Sequence, residues 1–156
     1  MTVRFACEKD ILQMNSLLYQ VERVHQQGRP DLFKEGAKKY TDNELKDMLK
    51  DKTKPIFAAV DENDVMKGYA FCVFQEHKGD NVLTDIKTLY IDDLCVDENF
   101  RGQHIGMVLY EAVKKFAKEQ GCYNVTLNVW ECNPSARKFY EKAGLKPYKT
   151  GMEVIL

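Results

Sequence analysis

The feature that most constrains the fold is a strand, a helix and a second strand that follow one another in the C-terminal half of the chain. Residues 89–96 are mostly apolar, and residues 125–129 alternate apolar with polar side chains, as strands do. Between them, residues 105–120 repeat apolar side chains at helical spacing. Two strands joined through a helix pair in parallel, so the sequence predicts a sheet with a parallel strand pair and a helix packed on it.

The N-terminal part of the chain adds one strand and two helices to this unit. A strand is predicted over residues 3–7, and the apolar side chains of residues 9–26 recur at helical spacing. Thr41 and Glu44 have the spacing of a capping box, which predicts the start of a second helix that runs to about residue 50. A pair of helices therefore precedes the main part of the sheet.

Two further strands and a last helix complete the predicted order. Residues 55–60 and 68–74 are strand-like stretches separated by a turn, which predicts an antiparallel hairpin. Asn133 and Pro134 suit the start of a helix, which Gly144 ends before a predicted last strand or hairpin over residues 145–156. The predicted fold is α/β, with a mixed central sheet flanked by helices in the order β-α-α-β-β-β-α-β-α-β.

Length and composition exclude several classes of protein. A chain of 156 residues fits a single domain, predicted over residues 1–156. Lysine and arginine number 23 against 24 aspartates and glutamates, so no basic excess favours nucleic acid. No apolar run approaches the ~20 residues that span a membrane. The five cysteines have no metal-binding spacing, which predicts reduced, mostly buried thiols and a cytoplasmic protein.

The turn between the first strand of the parallel unit and its helix is a candidate anion site. Its sequence is Arg101-Gly102-Gln103-His104-Ile105-Gly106. The first turn of a helix has unpaired N–H groups and the positive end of the helix dipole, so it stabilises a phosphate group there. Taken alone, a glycine-containing turn at this place is also ordinary fold geometry.

Two segments together resemble the GNAT superfamily of N-acetyltransferases. The turn at residues 101–106 resembles that family's Arg/Gln-x-x-Gly-x-Gly/Ala signature, with His104 where the family usually has glycine. The segment Asn133-Pro-Ser-Ala136-Arg-Lys-Phe-Tyr140-Glu-Lys-Ala-Gly144 resembles the family's Asn-x-x-Ala-x-x-x-Tyr-x-x-x-Gly segment. The resemblance implies the GNAT fold, acetyl-CoA as cosubstrate and a pyrophosphate held by the turn.

The resemblance also assigns residues to the coenzyme. In the family the acetyl-pantetheine arm lies beside the first strand of the parallel unit, where neighbouring strands splay apart. The residues implied in coenzyme binding are Leu94, Cys95, Val96, Arg101, Gly102, Gln103, His104, Ile105, Gly106, Met107, Asn133, Ser135 and Ala136. Cys95 has no evident histidine partner and is interpreted as a packing residue, since the family transfers acetyl directly.

Acetyl transfer to an amine requires a proton donor for the leaving thiolate and a group that takes a proton from the amine. The resemblance implies that Tyr140 is the general acid; the alternative is a tyrosine packed in the core. Asp92 and Asp93 are candidates for the other role. Neighbouring residues of a strand point to opposite faces, so only one is expected to face the cleft. Residues 89–96 resemble the spermidine/spermine N-acetyltransferases, which favours Asp92.

The acceptor pocket is expected between the two N-terminal helices and the strand at residues 125–129. Individually, each candidate there is also explained as a core, surface or capping residue. The residues predicted to contact the acceptor are His25, Asp31, Asp92, Asp93, Thr126 and Asn128. The histidines have no metal-ligand spacing, so no metal is predicted.

These patterns predict an enzyme that transfers acetyl from acetyl-CoA to a primary amine of a small, cationic molecule such as a polyamine. One alternative is acetylation of a protein or peptide amine, which needs an open groove. Another is a coenzyme A-binding sensor without turnover. The resemblance also implies a homodimer through the last strands, and the charge balance and apolar runs predict no nucleic acid or membrane partner.

Overall fold

Five strands form one sheet in the computed structural model, which describes residues 1–156. The strands lie in the sheet in chain order, and only the last pair is parallel. The strands are β1 (Thr2–Phe5), β2 (Ile56–Val60), β3 (Met66–Glu76), β4 (Lys87–Val96) and β5 (Asn124–Leu127). The predicted hairpin is β2–β3 and the predicted parallel pair is β4–β5, so both predictions are confirmed.

Four helices cover the two faces of the sheet, and 3-10 turns at Glu8–Asp10 and Glu98–Phe100 join elements. Thr41 caps the second helix through the predicted capping box with Glu44, and Asn133 caps the last helix by accepting a bond from the Ala136 N–H. The helices are α1 (Ile11–Gly28), α2 (Asp42–Met48), α3 (Ile105–Glu119) and α4 (Pro134–Lys142). The predicted GNAT-like α/β arrangement is thereby present.

Each face of the sheet has its own apolar core. On the first face, Met14 and Leu18 of α1 pack against Tyr69 and Phe71 of β3. On the second face, buried α3 side chains four residues apart pack against Leu89 and Ile91 of β4; they are Ile105, Leu109, Val113 and Ala117. The start of α3 is thus fixed beside the end of β4, where the candidate anion site lies.

A β-bulge in β4 places the carboxylates of two adjacent residues on the same face of the sheet. Phe71 of β3 pairs with Asp93, but the next residue, Cys72, pairs with Ile91, so Asp92 is an extra residue without a partner. Side chains of Asp92 and Asp93 therefore both point to the α1–α2 face, as their hydrogen bonds to tyrosines on that face confirm. The expectation that they point to opposite faces is wrong, because simple alternation fails at a bulge.

Strands β4 and β5 separate beyond a short ladder. Their parallel pairing runs from Thr88 opposite Asn124 to Ile91 opposite Leu127, and there it stops. The rest of β4, residues 92–96, has no neighbour on that side. A gap therefore opens between the end of β4 and α4, at the point where the resemblance places a splayed pair of strands.

The predicted strand or hairpin over residues 145–156 is absent, and this prediction is wrong. The last backbone hydrogen bond of the chain joins the Leu145 N–H to the Tyr140 carbonyl, and the tail beyond it is exposed. Alternating apolar residues favour a strand only where another strand supplies hydrogen bonds, and none does so here. The cysteines are free as predicted, but only Cys72 and Cys95 are buried.

Candidate active site

A cleft of about 590 Å³ opens where β4 ends, between α1, the start of α3 and α4. Every residue predicted to bind the coenzyme lines this cleft except Gln103, whose side chain is exposed at the surface. Tyr140 lines it as well. The lining includes the cations Arg101 and Lys142 and no carboxylate, so the charge of the cleft suits an anionic ligand.

The start of α3 presents a row of free amides to the cleft. The Val108 N–H donates to the His104 carbonyl at 3.0 Å, but the N–H groups of residues 102–107 have no acceptor in the protein. Arg101 lies before this row, and its Nε donates to the Val96 carbonyl at 3.3 Å. Free N–H groups, the helix dipole and a guanidinium form a site for phosphate oxygens.

Two residues of the turn have functions that the sequence pattern did not show. His104 is the N-cap of α3 and has left-handed backbone angles, φ 61° and ψ 9°, without a capping bond from its side chain. Glycine adopts this conformation without steric cost, which explains why it suits the position. A Cβ on Gly106 would lie 3.2 Å from the Phe139 ring, so this glycine lets α4 pack on α3.

Tyr140 of α4 lines the cleft. Its ring packs on Phe139 with a centroid distance of 5.1 Å, and its phenol has no hydrogen-bond partner within the protein. Burial, assisted by the nearby charge of Asp93, raises the pKa of Tyr140 above its usual range. The phenol is therefore protonated at neutral pH and holds a proton that it can donate to a strongly basic leaving group.

The two carboxylates on the bulge have different partners. Asp93 is partly buried and accepts a 2.7 Å hydrogen bond from the Tyr69 hydroxyl. Burial raises the pKa of Asp93 to about 6, although the bond from Tyr69 and the charge of Lys39 act in the opposite direction. Asp92 accepts hydrogen bonds from the Tyr40 hydroxyl at 2.5 Å and from Lys39 Nζ at 2.8 Å. A carboxylate that titrates near neutral pH, such as Asp93, is suited to proton transfer.

Cys95 does not have the surroundings of a nucleophile. Its thiol is buried and donates a 3.5 Å hydrogen bond to the Leu17 carbonyl. Burial, together with the charge of Asp93, raises the pKa of Cys95 to about 12. The reactive form of cysteine is the thiolate, so this thiol is unreactive at neutral pH.

Aromatic and polar side chains bound the predicted acceptor region. His25 packs on Phe33 at 5.2 Å, Phe33 packs edge-on against Trp130 at 5.2 Å, and burial lowers the pKa of His25. Thr126 pairs with Tyr90 of β4, and Asn128 donates a 3.2 Å hydrogen bond to the Tyr90 hydroxyl. Both residues face away from the α3 core. The acceptor region thus has aromatic walls and a polar edge.

Asp31 stands apart from the other predicted acceptor residues. Its carboxylate is paired at 2.7 Å with Arg29, which also binds Glu153 of the C-terminal tail. The structure therefore gives Asp31 a partner at the end of α1. Asp92 and Asp93 lie on β4, Thr126 and Asn128 lie beside Tyr90 of that strand, and His25 lies on α1 against Phe33. No group of three or more His, Cys, Asp or Glu residues is placed to hold a metal ion, and no helix has the length and apolar character to cross a membrane.

Comparison with known proteins identifies the family. A model of the acetyltransferase (GNAT) family matches residues 18–145, which is most of the chain. The chain belongs to the GNAT acetyltransferase family. Among solved structures, the tetramutant of the BH1408 protein from Bacillus halodurans superimposes with a TM-score of 0.95 at 28% identity and covers 100% of both chains. The predicted GNAT fold and the membership of the acetyltransferase family are confirmed.

Curated relatives match a smaller part of this GNAT chain. Glucosamine 6-phosphate N-acetyltransferase 1 of Dictyostelium discoideum is 31% identical over 67 residues, which is 43% of this chain and 41% of the relative. The Arabidopsis thaliana glucosamine 6-phosphate N-acetyltransferase is 37% identical over 59 residues, or 38% of each chain. The chain thus spans about two fifths of the length of these relatives. They do not single out the spermidine/spermine type.

A structural neighbour of known ligand shares only the fold with this GNAT protein. It is an aminoglycoside acetyltransferase from an uncultured soil metagenomic sample, solved in complex with sisomicin. The two superimpose with a TM-score of 0.74 at 20% identity, covering 99% of this chain and 95% of the other. At this identity, the likeness extends to the architecture and not to the acceptor.

Sequence reasoning missed several residues around the carboxylates of this GNAT site. Lys39, Tyr40 and Glu22 surround Asp92 and Asp93, and Lys142 adds a cation to the cleft. Only Tyr40 had a usable signal, since it precedes the helix cap Thr41, where an apolar residue often packs against the core. Lys39 lies in an irregular loop in which no periodic pattern indicates its direction.

Proposed function

We propose that this GNAT protein transfers the acetyl group of acetyl-CoA to a primary amine of a small, cationic molecule. One observation carries the proposal: a single cleft is lined both by the turn that holds the free amides of residues 102–107 and by Tyr140. The Asp93 carboxylate does not line the cleft, but its charge acts on the Tyr140 phenol and helps to raise the pKa of Tyr140. The site thus supplies an anion cradle, a proton donor and a proton acceptor in one place.

The cleft fits acetyl-CoA as a substrate. The amides at the start of α3 and the Arg101 guanidinium would hold the pyrophosphate, and Lys142 lies on the same cleft. The pantetheine arm would lie along residues 94–96, whose side facing β5 has no strand partner. The thioester would then reach the inner end of the cleft, beside Tyr140.

The residues divide the acetyl transfer between them. Asp92 and Asp93 attract the acceptor as an ammonium ion, and Asp93 takes a proton from it directly or through water. The neutral nitrogen attacks the thioester carbonyl, the new C–N bond forms and the C–S bond breaks. Tyr140 gives its proton to the departing thiolate of coenzyme A, and the proton that the nitrogen loses as the amide forms returns Tyr140 to its neutral phenol. We therefore propose Asp93 as the base, in place of Asp92, which the sequence resemblance favours for that role, and we assign the anchoring of the amine to Asp92.

The charges around β4 support a cationic acceptor. Asp92 and Asp93 lie together, and the charge of Glu22 adds to theirs by raising the pKa of Asp93. In the structure an ammonium group, that of Lys39, occupies the position beside Asp92. The relatives named above act on glucosamine 6-phosphate, so an amino sugar phosphate is the second acceptor to consider.

An acceptor panel tests the proposal. Thiol release from acetyl-CoA would be followed with a polyamine, a diamine, glucosamine 6-phosphate and a lysine-containing peptide. We expect the highest kcat/KM with the polyamine or diamine. A preference for the sugar phosphate or the peptide would overturn the cationic acceptor, and tight acetyl-CoA binding without turnover of any amine would indicate a coenzyme A sensor.

Replacing His104 with glycine is expected to strengthen both the fold and the coenzyme site. Glycine removes the strain of a left-handed residue, which should raise the free energy of unfolding by about 0.5–1 kcal/mol. It also removes a side chain next to the free amides, so calorimetry should show tighter acetyl-CoA binding. Gln103→Gly is the control, because Gln103 does not have a positive φ and gains no relief. Weaker acetyl-CoA binding would show instead that the imidazole helps to hold phosphate.

The exposed C-terminal tail supports a homodimer. Met152, Val154 and Ile155 are each at least 79% exposed, and residues 146–156 make no backbone–backbone hydrogen bonds. A second copy could cover these side chains and pair with the tail, which a single chain does not do. Light scattering should give twice the chain mass of 18.1 kDa, and deletion of residues 146–156 should give a monomer. A full-length monomer would contradict the proposed dimer.

A further inference from the structure

The side chain of Lys39 occupies the position that the proposed function reserves for the acceptor amine. Its Nζ lies 2.8 Å from the Asp92 carboxylate and 3.5 Å from the Asp92 carbonyl. Its charge also lowers the pKa of both His25 and Asp93, so the ammonium lies among three of the predicted acceptor residues. Lys39 is a primary alkylamine, the same chemical class as the proposed acceptor.

The loop that carries Lys39 is held in place by its neighbours. Tyr40 packs on Phe71 with a ring distance of 5.5 Å and bonds to Asp92, and Thr41 starts α2 through its capping box. The amine is therefore presented to the site by its own chain. A tethered nucleophile has a high effective concentration, which favours reaction within one molecule over reaction between two.

We propose that Lys39 is acetylated by the active site of its own chain. The inference rests on the proposed function, since it uses the same thioester and the same residues. Lys39 Nζ loses one proton to the neighbouring carboxylates and attacks the thioester carbonyl. The C–N bond forms, the C–S bond breaks, and Tyr140 protonates the coenzyme A thiolate. The second proton that the nitrogen loses as the amide forms returns Tyr140 to its neutral phenol. Acetylation removes the charge of Lys39, so its ion pair with Asp92 is lost and that carboxylate becomes free for an external amine.

Uncatalysed acetylation by acetyl-CoA and acetylation in the active site should modify the lysines in opposite orders. Unassisted acetylation favours exposed amines, and the side chains of Lys115 and Lys78 are 80% and 73% exposed. The Lys39 side chain is only 36% exposed and is held in an ion pair, which makes it a poor target without catalysis. Preferential acetylation of Lys39 would therefore require the active site.

The test is peptide mapping by mass spectrometry after the full-length protein is incubated with acetyl-CoA and no acceptor. We expect Lys39 to be acetylated at least about tenfold faster than Lys115 and Lys78, at a first-order rate that does not change on dilution. An order of labelling that follows exposure would overturn the inference. A rate that falls in proportion to protein concentration would also overturn it, because it indicates transfer between molecules.

Two variants distinguish acetylation of Lys39 by the active site from a high intrinsic reactivity of the Lys39 amine. Lys38→Arg is the matched control, since Lys38 is the adjacent lysine and instead bonds to Asn15 and Asp42. Lys39 labelling should be unchanged in Lys38→Arg and should fall at least about a hundredfold in Tyr140→Phe. Equal labelling in Tyr140→Phe would refute self-acetylation. If the unmodified protein acetylates external amines but not Lys39, this inference alone is refuted. If it acetylates neither, the proposed function is refuted as well.

Discussion

Replacing Tyr140 with phenylalanine should lower kcat by roughly two to three orders of magnitude and leave the affinity for acetyl-CoA almost unchanged. The substitution removes the proton that the thiolate of coenzyme A needs and keeps the ring that packs on Phe139. The phenol makes no hydrogen bond within the protein, so its loss should not disturb the fold. Steady-state kinetics and calorimetric titration of acetyl-CoA measure the two effects separately.

Tyr110→Phe provides the control for this result. Tyr110 is a buried tyrosine of α3 that does not line the cleft, and burial raises its pKa as it does for Tyr140. Loss of its hydroxyl should leave kcat within a factor of about two, because no chemical step uses it. If kcat were unchanged in Tyr140→Phe as well, Tyr140 would not be the acid.

Replacing Asp93 with asparagine is the second change with a large expected effect. A base works only when deprotonated, and burial places the pKa of Asp93 at about 6. In the unmodified enzyme, kcat/KM should therefore rise with pH through about 6. Asp93→Asn should lower kcat/KM by about a hundredfold and remove this acidic limb from the pH profile.

The Asp92→Asn variant distinguishes the roles of the two carboxylates. If Asp92 anchors the acceptor, its replacement should raise KM for the amine and keep the acidic limb, moved to lower pH because the charge of Asp92 raises the pKa of Asp93. The groups that bear on this limb are those around Asp93, namely Tyr69, Lys39, Asp92 and Glu22. A larger fall in kcat for Asp92→Asn than for Asp93→Asn would return the role of base to Asp92.

The parts of the fold that follow from short stretches of sequence were predictable. The stripe of α3, the capping box of Thr41 and the Asn133-Pro134 helix start are local signals, and each is present in the structure. Much of the lining of the cleft was predictable for the same reason. Most of its residues lie on β4, the following turn and α4, so two contiguous motifs indicate them, whereas Val21 and Val24 of α1 were not predicted.

Features that depend on distant partners were not predictable from the sequence. The bulge at Asp92 is set by how β4 pairs with β3, and no residue near Asp92 signals it. The position of Lys39 depends on the path of an irregular loop towards β4. The tail at residues 145–156 has the composition of a strand, but its structure depends on whether another strand is available.

The central claim is that this GNAT protein moves acetyl directly from acetyl-CoA to an amine at the Tyr140 end of the cleft. The most direct test incubates the protein with acetyl-CoA that carries an isotopically labelled acetyl group and with the best amine of the panel. Mass spectrometry then quantifies labelled amide, free coenzyme A and labelled protein. The proposed mechanism predicts one labelled amide for each coenzyme A released and no acetyl thioester on Cys95. Coenzyme A release without amide, or an acetylated Cys95 that passes its label to the amine, would contradict it.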